Sequence, residues 1–259
     1  MDEQSARSNS GGASAARPGA SRGRDRRTAT SVAAWLVLVL VTAVGIATDL
    51  WSKHWAFGNV QRGRDGTYER VVVVREQVLE AIARGRGLTR LTPPDRRHVI
   101  PGVLDFTLVL NPGAVFGIGA GKRMFFVVFT GLAIGFALWV FARWTRAGDW
   151  LAHIGLGLLL AGGLGNLYDR VVYACVRDFI HPLPGVELPW GLRWPNNGSA
   201  EVWPWVSNVA DAYLIVGIGL ILWHSWRHEP GPGRRTERGG SAPADAAPAS
   251  APRDDVGGP

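Results

Sequence analysis

The chain has 259 residues, of which 47% are hydrophobic and 19% are charged, whereas soluble proteins of this size carry about 25% charged residues. Its one cysteine, Cys175, excludes an intrachain disulfide and a cysteine metal cluster. Its six histidines show no His-Glu-x-x-His spacing, so zinc chemistry has no support. The net charge of +7 comes mostly from arginine, which is concentrated outside several long apolar runs.

Residues 1–27 are rich in Ser, Gly, Ala and Arg, and residues 229–259 in Pro, Gly and Ala. Both tails are predicted to be disordered, because they hold too little apolar surface to offset the entropy of ordering. Between them lie four apolar runs, and a helix needs about 20 such residues to cross a bilayer. These predicted spans are residues 28–48, 124–142, 150–168 and 208–226. The first is longer than a signal-peptide core and is predicted to be a retained helix.

Two sizeable segments separate the spans, residues 58–123 and 170–207. The first contains a β-like run at 71–74, an amphipathic helix at 76–83 and a second β-like run at 104–110. The second is rich in Pro, Trp and Gly and is predicted to form an irregular lid or platform. The predicted fold class is an all-α membrane protein with four transmembrane helices and a small extracytoplasmic platform that contains β structure.

Arginine placement predicts the orientation. The N-terminal tail, the turn with Arg143 and Arg146, and the start of the C-terminal tail at Arg227 all lie on one side of a four-span protein. The positive-inside rule makes that side cytoplasmic, together with both termini. Residues 58–100 hold nine arginines against five acidic residues and are nevertheless placed outside, since long translocated segments follow the rule weakly.

Two aspartates lie at the outer ends of neighbouring spans. Asp169 follows the third span and Asp211 lies in the first turn of the fourth, so antiparallel packing would hold both carboxylates at a similar depth. Ionisable groups there are costly and usually functional, and a close carboxylate pair tends to share one proton, as an aspartic protease requires. The structural alternative is that Asp169 pairs with an arginine and Asp211 complements its helix dipole.

Five short motifs occur in order between residues 31 and 227. They are Asp49-Leu50-Trp51-Ser52-Lys53, Asn111-Pro112-Gly113-Ala114-Val115-Phe116-Gly117, Gly162-Gly163-Leu164-Gly165-Asn166-Leu167-Tyr168-Asp169-Arg170, Val176-Arg177-Asp178-Phe179-Ile180 and Asn208-Val209-Ala210-Asp211. Together they resemble the motifs of the lipoprotein signal peptidase (signal peptidase II) family. The third is one residue shorter between its glycines than the family's, and Ser207 stands where the family usually has Phe.

The resemblance implies an aspartic endopeptidase of the inner (cytoplasmic) membrane. Its implied reaction removes the signal peptide from diacylglyceryl-modified prolipoproteins just before the lipidated cysteine, with Asp169 and Asp211 as the catalytic pair. The peptidase domain would be residues 28–228, with extracytoplasmic loops 58–123 and 170–207. Prolipoproteins and membrane lipids are the implied partners, without nucleic acid, metal or organic cofactor.

Seven further residues are predicted to bind substrate or to support the site. They are Asn111, Gly113, Asn166, Arg170, Asn208, Asp49 and Lys53. Asn208 is equally suited to capping the fourth span, and Asp49 and Lys53, at i and i+4, are expected to pair as structural support. Asp178 is predicted to be a structural hydrogen-bonding residue, and Cys175 to be inert. The glycines of spans two and three are expected to allow close helix packing.

Two other functions compete with a peptidase. A small transporter or channel would use Asp169 and Asp211 as a proton relay. It would need polar residues along a pathway, and the spans carry few between their ends. A catalytically inactive relative would act as a binding scaffold, which the presence of both aspartates disfavours.

Overall fold

The computed structural model describes residues 28–62, 66–92, 96–113, 123–195 and 197–228. The predicted disordered tails, residues 1–27 and 229–259, lie outside these ranges. So do the last four residues of the second motif, Ala114, Val115, Phe116 and Gly117.

Four long helices confirm the predicted fold class. They are α1 (Val32–Asn59), α3 (Arg123–Trp144), α4 (Trp150–Val172) and α5 (Val209–His228), and each is long and apolar enough to cross a membrane. Helix α1 runs 11 residues past the predicted end of its span, from residue 48 to Asn59. At about 1.5 Å per residue its 28 residues measure about 42 Å, more than the roughly 30 Å of a hydrocarbon core.

Helix α4 is the centre of the bundle and packs against α1, α3 and α5. Its glycines allow this, because an added Cβ at Gly162 would lie 2.5 Å from the Ala210 carbonyl oxygen of α5. A Cβ at Gly157 would lie 2.9 Å from the side chain of Val41 in α1. The expectation of close packing is wrong for Gly131 and Gly135 of α3, where an added Cβ would meet nothing within 4 Å.

Both described chain ends lie at the same end of the bundle, here called the terminal end. The hydroxyl of Thr28, before α1, is 2.8 Å from that of Thr145, after α3. Near the end of α5, Nε2 of His224 lies 3.7 Å from a carboxylate oxygen of Asp149, which precedes α4. An even number of antiparallel spans requires this arrangement.

A three-stranded antiparallel sheet covers the opposite end of the bundle, here called the sheet end. Its strands are β1 (Arg96–Ile100), β2 (Leu104–Asn111) and β3 (Val176–Pro182), in the order β1-β2-β3. Strand β2 matches the predicted run at 104–110, whereas β3 lies in a segment predicted to be irregular. The register pairs Val109 with Asp178 and Asn111 with Val176, so the second and fourth motifs are neighbours on the sheet.

The outer segment before the sheet is only partly as predicted. Helix α2 (Arg75–Ala83) matches the amphipathic stretch at 76–83, with Val78 buried. The prediction of a strand at 71–74 is wrong: these residues belong to no strand, and the backbone N–H of Val71 donates to the Phe57 carbonyl at 2.7 Å. No strand forms here because Val71 and Val73 pack against the core at the end of α1. Their neighbour is a helix, which has no free backbone edge for strand pairing.

Candidate active site

The sheet end of α1 contributes a buried ion pair. Lys53 Nζ lies 2.8 Å from a carboxylate oxygen of Asp49, one turn earlier, and both side chains are fully buried. The same ammonium donates to Asn166 Oδ1 at 3.0 Å and lies 3.5 Å from Asp169. The other oxygen of Asp49 accepts from the backbone N–H of Ala210 at 2.9 Å. This ties α1 to the first turn of α5, whose N–H groups have no partner within their own helix.

Asp169 is completely buried and faces two cations. Its Oδ1 accepts from Arg177 Nη2 at 2.8 Å, and its Oδ2 accepts from the backbone N–H of Arg177 at 3.0 Å. Lys53 supplies the second positive charge. Among the described residues no hydrogen bond joins Asp169 to Asp211. The arrangement matches the structural alternative, in which Asp169 pairs with an arginine.

Asp211 sits in a reciprocal cap at the start of α5. Its backbone N–H donates to Asn208 Oδ1 at 3.1 Å, and its Oδ2 accepts from the Asn208 backbone N–H, also at 3.1 Å. This is the geometry of a capping box, with Asn208 as the N-cap residue. The remaining oxygen of Asp211 accepts from Asn166 Nδ2 at 2.8 Å. Unlike Asp169, Asp211 is partly exposed.

Asn208 also connects Asp211 to a second carboxylate, that of Asp178. Its Nδ2 donates to Asp178 Oδ1 at 2.6 Å and to Asn166 Oδ1 at 3.1 Å. The other Asp178 oxygen accepts from Asn111 Nδ2 at 3.1 Å, across the β2–β3 pair. One asparagine therefore holds Asp178 with its side chain and Asp211 with its side chain and backbone.

The surroundings of Asp178 favour its protonated form. The side chain is 2% exposed, and burial raises its pKa to about 8, with the nearby negative charge of Asp211 adding to the effect. The hydrogen bonds from Asn208 and Asn111 act in the opposite direction but are weaker. Near neutral pH, Asp178 is thus a carboxylic acid, able to donate a hydrogen bond.

Arg170 links the third motif to the second. Its guanidinium donates to the Gly113 carbonyl at 3.1 Å and to the Asn166 carbonyl at 3.2 Å. Asn111 Oδ1 accepts from the Gly113 backbone N–H at 3.0 Å, which forms the turn after β2. The guanidinium also lies 5.3 Å from the ring centroid of Phe126, in α3.

An apolar groove of about 610 Å³ runs between α3, α4 and α5. Its walls are mostly aromatic and aliphatic, including Phe125 and Phe129 of α3. Three polar residues of the cluster line it: Asn166, Arg170 and Asp211. The groove therefore combines a hydrophobic binding surface with a carboxylate, which suits a ligand that is apolar over most of its length.

The structure gathers all the predicted site residues at the sheet end. One hydrogen-bonded network joins Asp49, Lys53, Asn166, Asn208 and Asp211. Next to it lie Asn111, Gly113 and Arg170. Sequence reasoning gave Asp178 only a structural role, although it lies within the fourth motif. It also missed Arg177, the partner of Asp169.

The signal peptidase II family model matches residues 41–227. The chain belongs to this family. This signal peptidase II is 36% identical over 130 residues to a lipoprotein signal peptidase of Streptococcus pyogenes, a match that covers 50% of the chain and 74% of the relative. A lipoprotein signal peptidase of Streptococcus thermophilus is 30% identical over 186 residues, covering 72% and 90%.

A solved bacterial membrane enzyme has the same fold as this signal peptidase II. The two align with a TM-score of 0.50 and 22% identity, over 80% of this chain and 99% of the other. The predicted family and the four-span membrane class are thus confirmed. The alternative of a transporter or channel finds no support.

Proposed function

We propose that this signal peptidase II is an aspartic endopeptidase that removes the signal peptide from diacylglyceryl-modified prolipoproteins, cutting before the lipidated cysteine. Membership of the family supports the class of reaction. The aspartic mechanism is supported by one observation: Asn208 bonds two carboxyl groups, those of Asp178 and Asp211, beside an apolar groove.

The catalytic pair in this proposal is Asp178 and Asp211, not Asp169 and Asp211. Asp169 is fully buried, both of its oxygens are bonded by Arg177 and Lys53 lies 3.5 Å away, which is the contact set of a structural ion pair. Asp178 and Asp211 differ instead in the way an aspartic dyad requires: one is buried with a raised pKa, and the other lines the groove. When the environments of two carboxyl groups differ in this way, one can act as the acid and the other as the base.

In the proposed reaction, Asp211 is the general base and Asp178 is the general acid. The ionised Asp211 takes a proton from a water molecule, whose oxygen attacks the carbon of the scissile amide. The neutral Asp178 donates its proton to the carbonyl oxygen, so the tetrahedral intermediate carries no net charge. When the intermediate collapses, the proton on Asp211 passes to the leaving nitrogen and Asp178 regains its own.

The groove and Arg170 position the substrate. The apolar walls accept the hydrophobic core of a signal peptide or the acyl chains of the modified cysteine, and the guanidinium of Arg170 faces the same groove. The Asn111–Gly113 turn holds that guanidinium through the Gly113 carbonyl. Asp49 and Lys53 act indirectly, because they fix Asn166 and the start of α5.

The proposed topology follows from arginine placement. The terminal end of the bundle faces the cytoplasm of an inner-membrane protein, with both termini inside. The sheet end and the loops 58–123 and 170–207 face outward, where exported precursors are presented. The peptidase domain is residues 28–228.

The test is cleavage of a diacylglyceryl-modified precursor by purified Asp178→Asn and Asp211→Asn variants, with the released signal peptide measured by mass. Both should lose activity completely while remaining folded, because an amide can neither accept the proton of water nor give one to the carbonyl. Substantial activity in Asp178→Asn would return the role to Asp169. Substantial activity in Asp211→Asn would refute the aspartic mechanism itself.

A further inference from the structure

Residues 183–206 form a hairpin that the proposed reaction does not use; all of them except residue 196 are described. Two backbone bonds of 2.7 Å close it, from Leu188 N to the Ala200 carbonyl and from Val202 N to the Val186 carbonyl. Inside it, Trp194 Nε1 donates to the Glu201 carbonyl at 2.9 Å, and the Trp194 ring meets that of Trp205 edge-on at 4.7 Å. The hairpin, here called the arm, is therefore held together by its own hydrogen bonds and ring contacts.

A turn at residues 189–192, here called the tip, bulges from the first strand of this arm between the backbone pairs 188–200 and 194–199 and presents apolar side chains to the outside. Trp190 is 92% exposed and Leu192 is 54% exposed. The backbone of Trp190 is left-handed, with φ 59° and ψ 21°, and Gly191 follows at φ 71°. A left-handed conformation is uncommon for a bulky residue, and such strain persists where the surrounding structure imposes it, often at functional sites. The turn thus holds the indole outward.

The base of the arm lies next to a membrane-crossing helix. Ser207 pairs with Ile180 of β3 and stands two residues before Val209, where α5 begins. His181 Nε2 lies 3.2 Å from the Trp203 carbonyl, which joins the arm to the sheet a second time. The arm therefore leaves and returns at the end of the bundle where α5 begins.

We propose that the arm is a membrane-interface anchor, whose tip places Trp190 and Leu192 among the headgroups of the outer leaflet beside the bundle. Indole is the side chain that the interface prefers, because its ring is apolar and its N–H is polar. The exposed Arg193 adjoins this tip, with its guanidinium bonded to the Gly198 carbonyl at 3.0 Å, and a cation there complements lipid phosphate. Glu201 is turned towards the base, where its carboxylate accepts from Gly185 N at 3.1 Å.

The partner is a bilayer rather than a protein because of the surroundings of the tip. The exposed side chains sit on a single turn, and neither Trp190 nor Leu192 lines the apolar groove between α3, α4 and α5. The arm is also continuous with α5, whose apolar surface already faces lipid. The anchor would hold β3, and with it the sheet, at a fixed height above the membrane.

The test measures the depth of the tip directly. A Cys175→Ala background removes the single native cysteine, and nitroxide labels are placed through Trp190→Cys, Leu192→Cys and, as the control on the exposed stem, Glu187→Cys. The full chain is reconstituted in vesicles of phosphatidylethanolamine and phosphatidylglycerol. Collision of each label with oxygen, which concentrates in lipid, is compared with collision with a water-soluble nickel chelate. Only preparations with an unchanged thermal unfolding midpoint are compared.

The labels at 190 and 192 should give a severalfold higher ratio of oxygen to nickel collisions than the label at 187. Equal ratios at the three positions would place the tip in water and overturn the proposal. Shielding of the tip labels from both reagents would indicate a protein contact and would also overturn it. The measurement does not depend on cleavage, so adding Asp211→Asn should leave the ratios unchanged, and a failure here is separate from a failure of the proposed mechanism.

Discussion

Asn208 combines two roles that are usually described separately. As the N-cap of α5 it exchanges hydrogen bonds with Asp211, and through Nδ2 it also contacts Asp178 on the sheet. An aspartate would keep the capping interaction but would add a negative charge between two carboxyl groups. A serine would cap the helix but would not reach Asp178. The amide is the group that can cap and donate at the same time, which makes Asn208 a positioning residue.

Asp169 should prove to be structural. Asp169→Asn removes the carboxylate that pairs with the buried Arg177. It also removes one of the negative charges next to Lys53. Breaking a buried ion pair from one side costs roughly 3–5 kcal/mol. The thermal unfolding midpoint in detergent should fall markedly, and the folded fraction should retain some cleavage. Arg84→Gln is the control, since its pair with Glu80 is more than half exposed and contributes about 0–1 kcal/mol.

The pKa of Asp178 predicts a loss of activity at alkaline pH. With a pKa near 8, Asp178 loses the proton that it must donate as the pH rises through that value. The turnover number for a lipidated precursor should fall above about pH 8. A turnover number that stays constant to pH 10 would show that Asp178 does not act as the acid.

The same pKa has a consequence for stability. The folded state keeps a proton on Asp178 up to about pH 8, whereas the unfolded chain releases it near the ordinary value of 3.8. Folding therefore takes up a proton between these values, and the free energy of unfolding decreases as pH rises across that range. Between pH 5 and 8, the unfolding midpoint of the wild type should fall relative to that of Asp178→Asn. A constant difference would contradict the raised pKa.

Among the elements, β3 decides the arrangement of the site. It begins at Val176, shortly after α4 ends at Val172, and Asp169 fixes its position by bonding the Arg177 backbone N–H and side chain. This places the next residue, Asp178, beside Asn208. In the proposed mechanism, the buried ion pair of Asp169 therefore acts on the reaction through the strand, without touching substrate.

The close packing of α4 and α5 sets the position of Asp211. An added Cβ at Gly162 would lie 2.5 Å from the Ala210 carbonyl oxygen, whereas one at Gly135 of α3 would meet nothing within 4 Å. Gly162→Ala should therefore lower both the unfolding midpoint and the cleavage rate, because α5 must move away. Gly135→Ala, the same chemical change, should leave both unaltered. Equal effects of the two variants would contradict the packing.

The sequence predicts those features of the fold that depend on the residue pattern of a single helix or strand. Apolar runs predict the four spans, the β-like run at 104–110 predicts β2, and the amphipathic stretch at 76–83 predicts α2. Strand β3 was missed, because its residues Val176–Phe179 are all buried and show no alternation. The Asp178–Asp211 pairing could not be read from the chain either, since it depends on β3 lying against the start of α5. A carboxylate at the end of an apolar helix stands out in the sequence as a candidate catalytic group, whereas one inside a buried strand does not.

For the whole molecule, the proposed site lies at the sheet end of four helices that are long and apolar enough to cross a membrane. The groove is apolar along the helices and becomes polar where Asn166, Arg170 and Asp211 line it. Under the proposed function, a substrate is held in the membrane and presents one peptide bond near its surface. Acyl chains provide this anchoring at about 0.8 kcal/mol per buried methylene.

A lipid on the substrate cysteine should be required. A precursor with diacylglyceryl-cysteine should be cleaved, and the same precursor with an unmodified cysteine should be cleaved far more slowly or not at all, because the lipid fixes the register of the scissile bond. Both substrates, verified by mass, are compared in one detergent. Equal rates would show that the enzyme does not recognise the lipid.

The groove is bounded by α3, α4 and α5 and exposes Phe125 and Phe129 of α3 at its margin, so under the proposed function a substrate that is already in the bilayer would enter it sideways. The encounter is then a two-dimensional one, and its rate depends on the number of substrate molecules per lipid rather than per litre. Adding empty detergent micelles or lipid at constant bulk concentration should slow cleavage by surface dilution. Adding buffer at a constant ratio of substrate to lipid should leave the turnover of each enzyme molecule nearly unchanged.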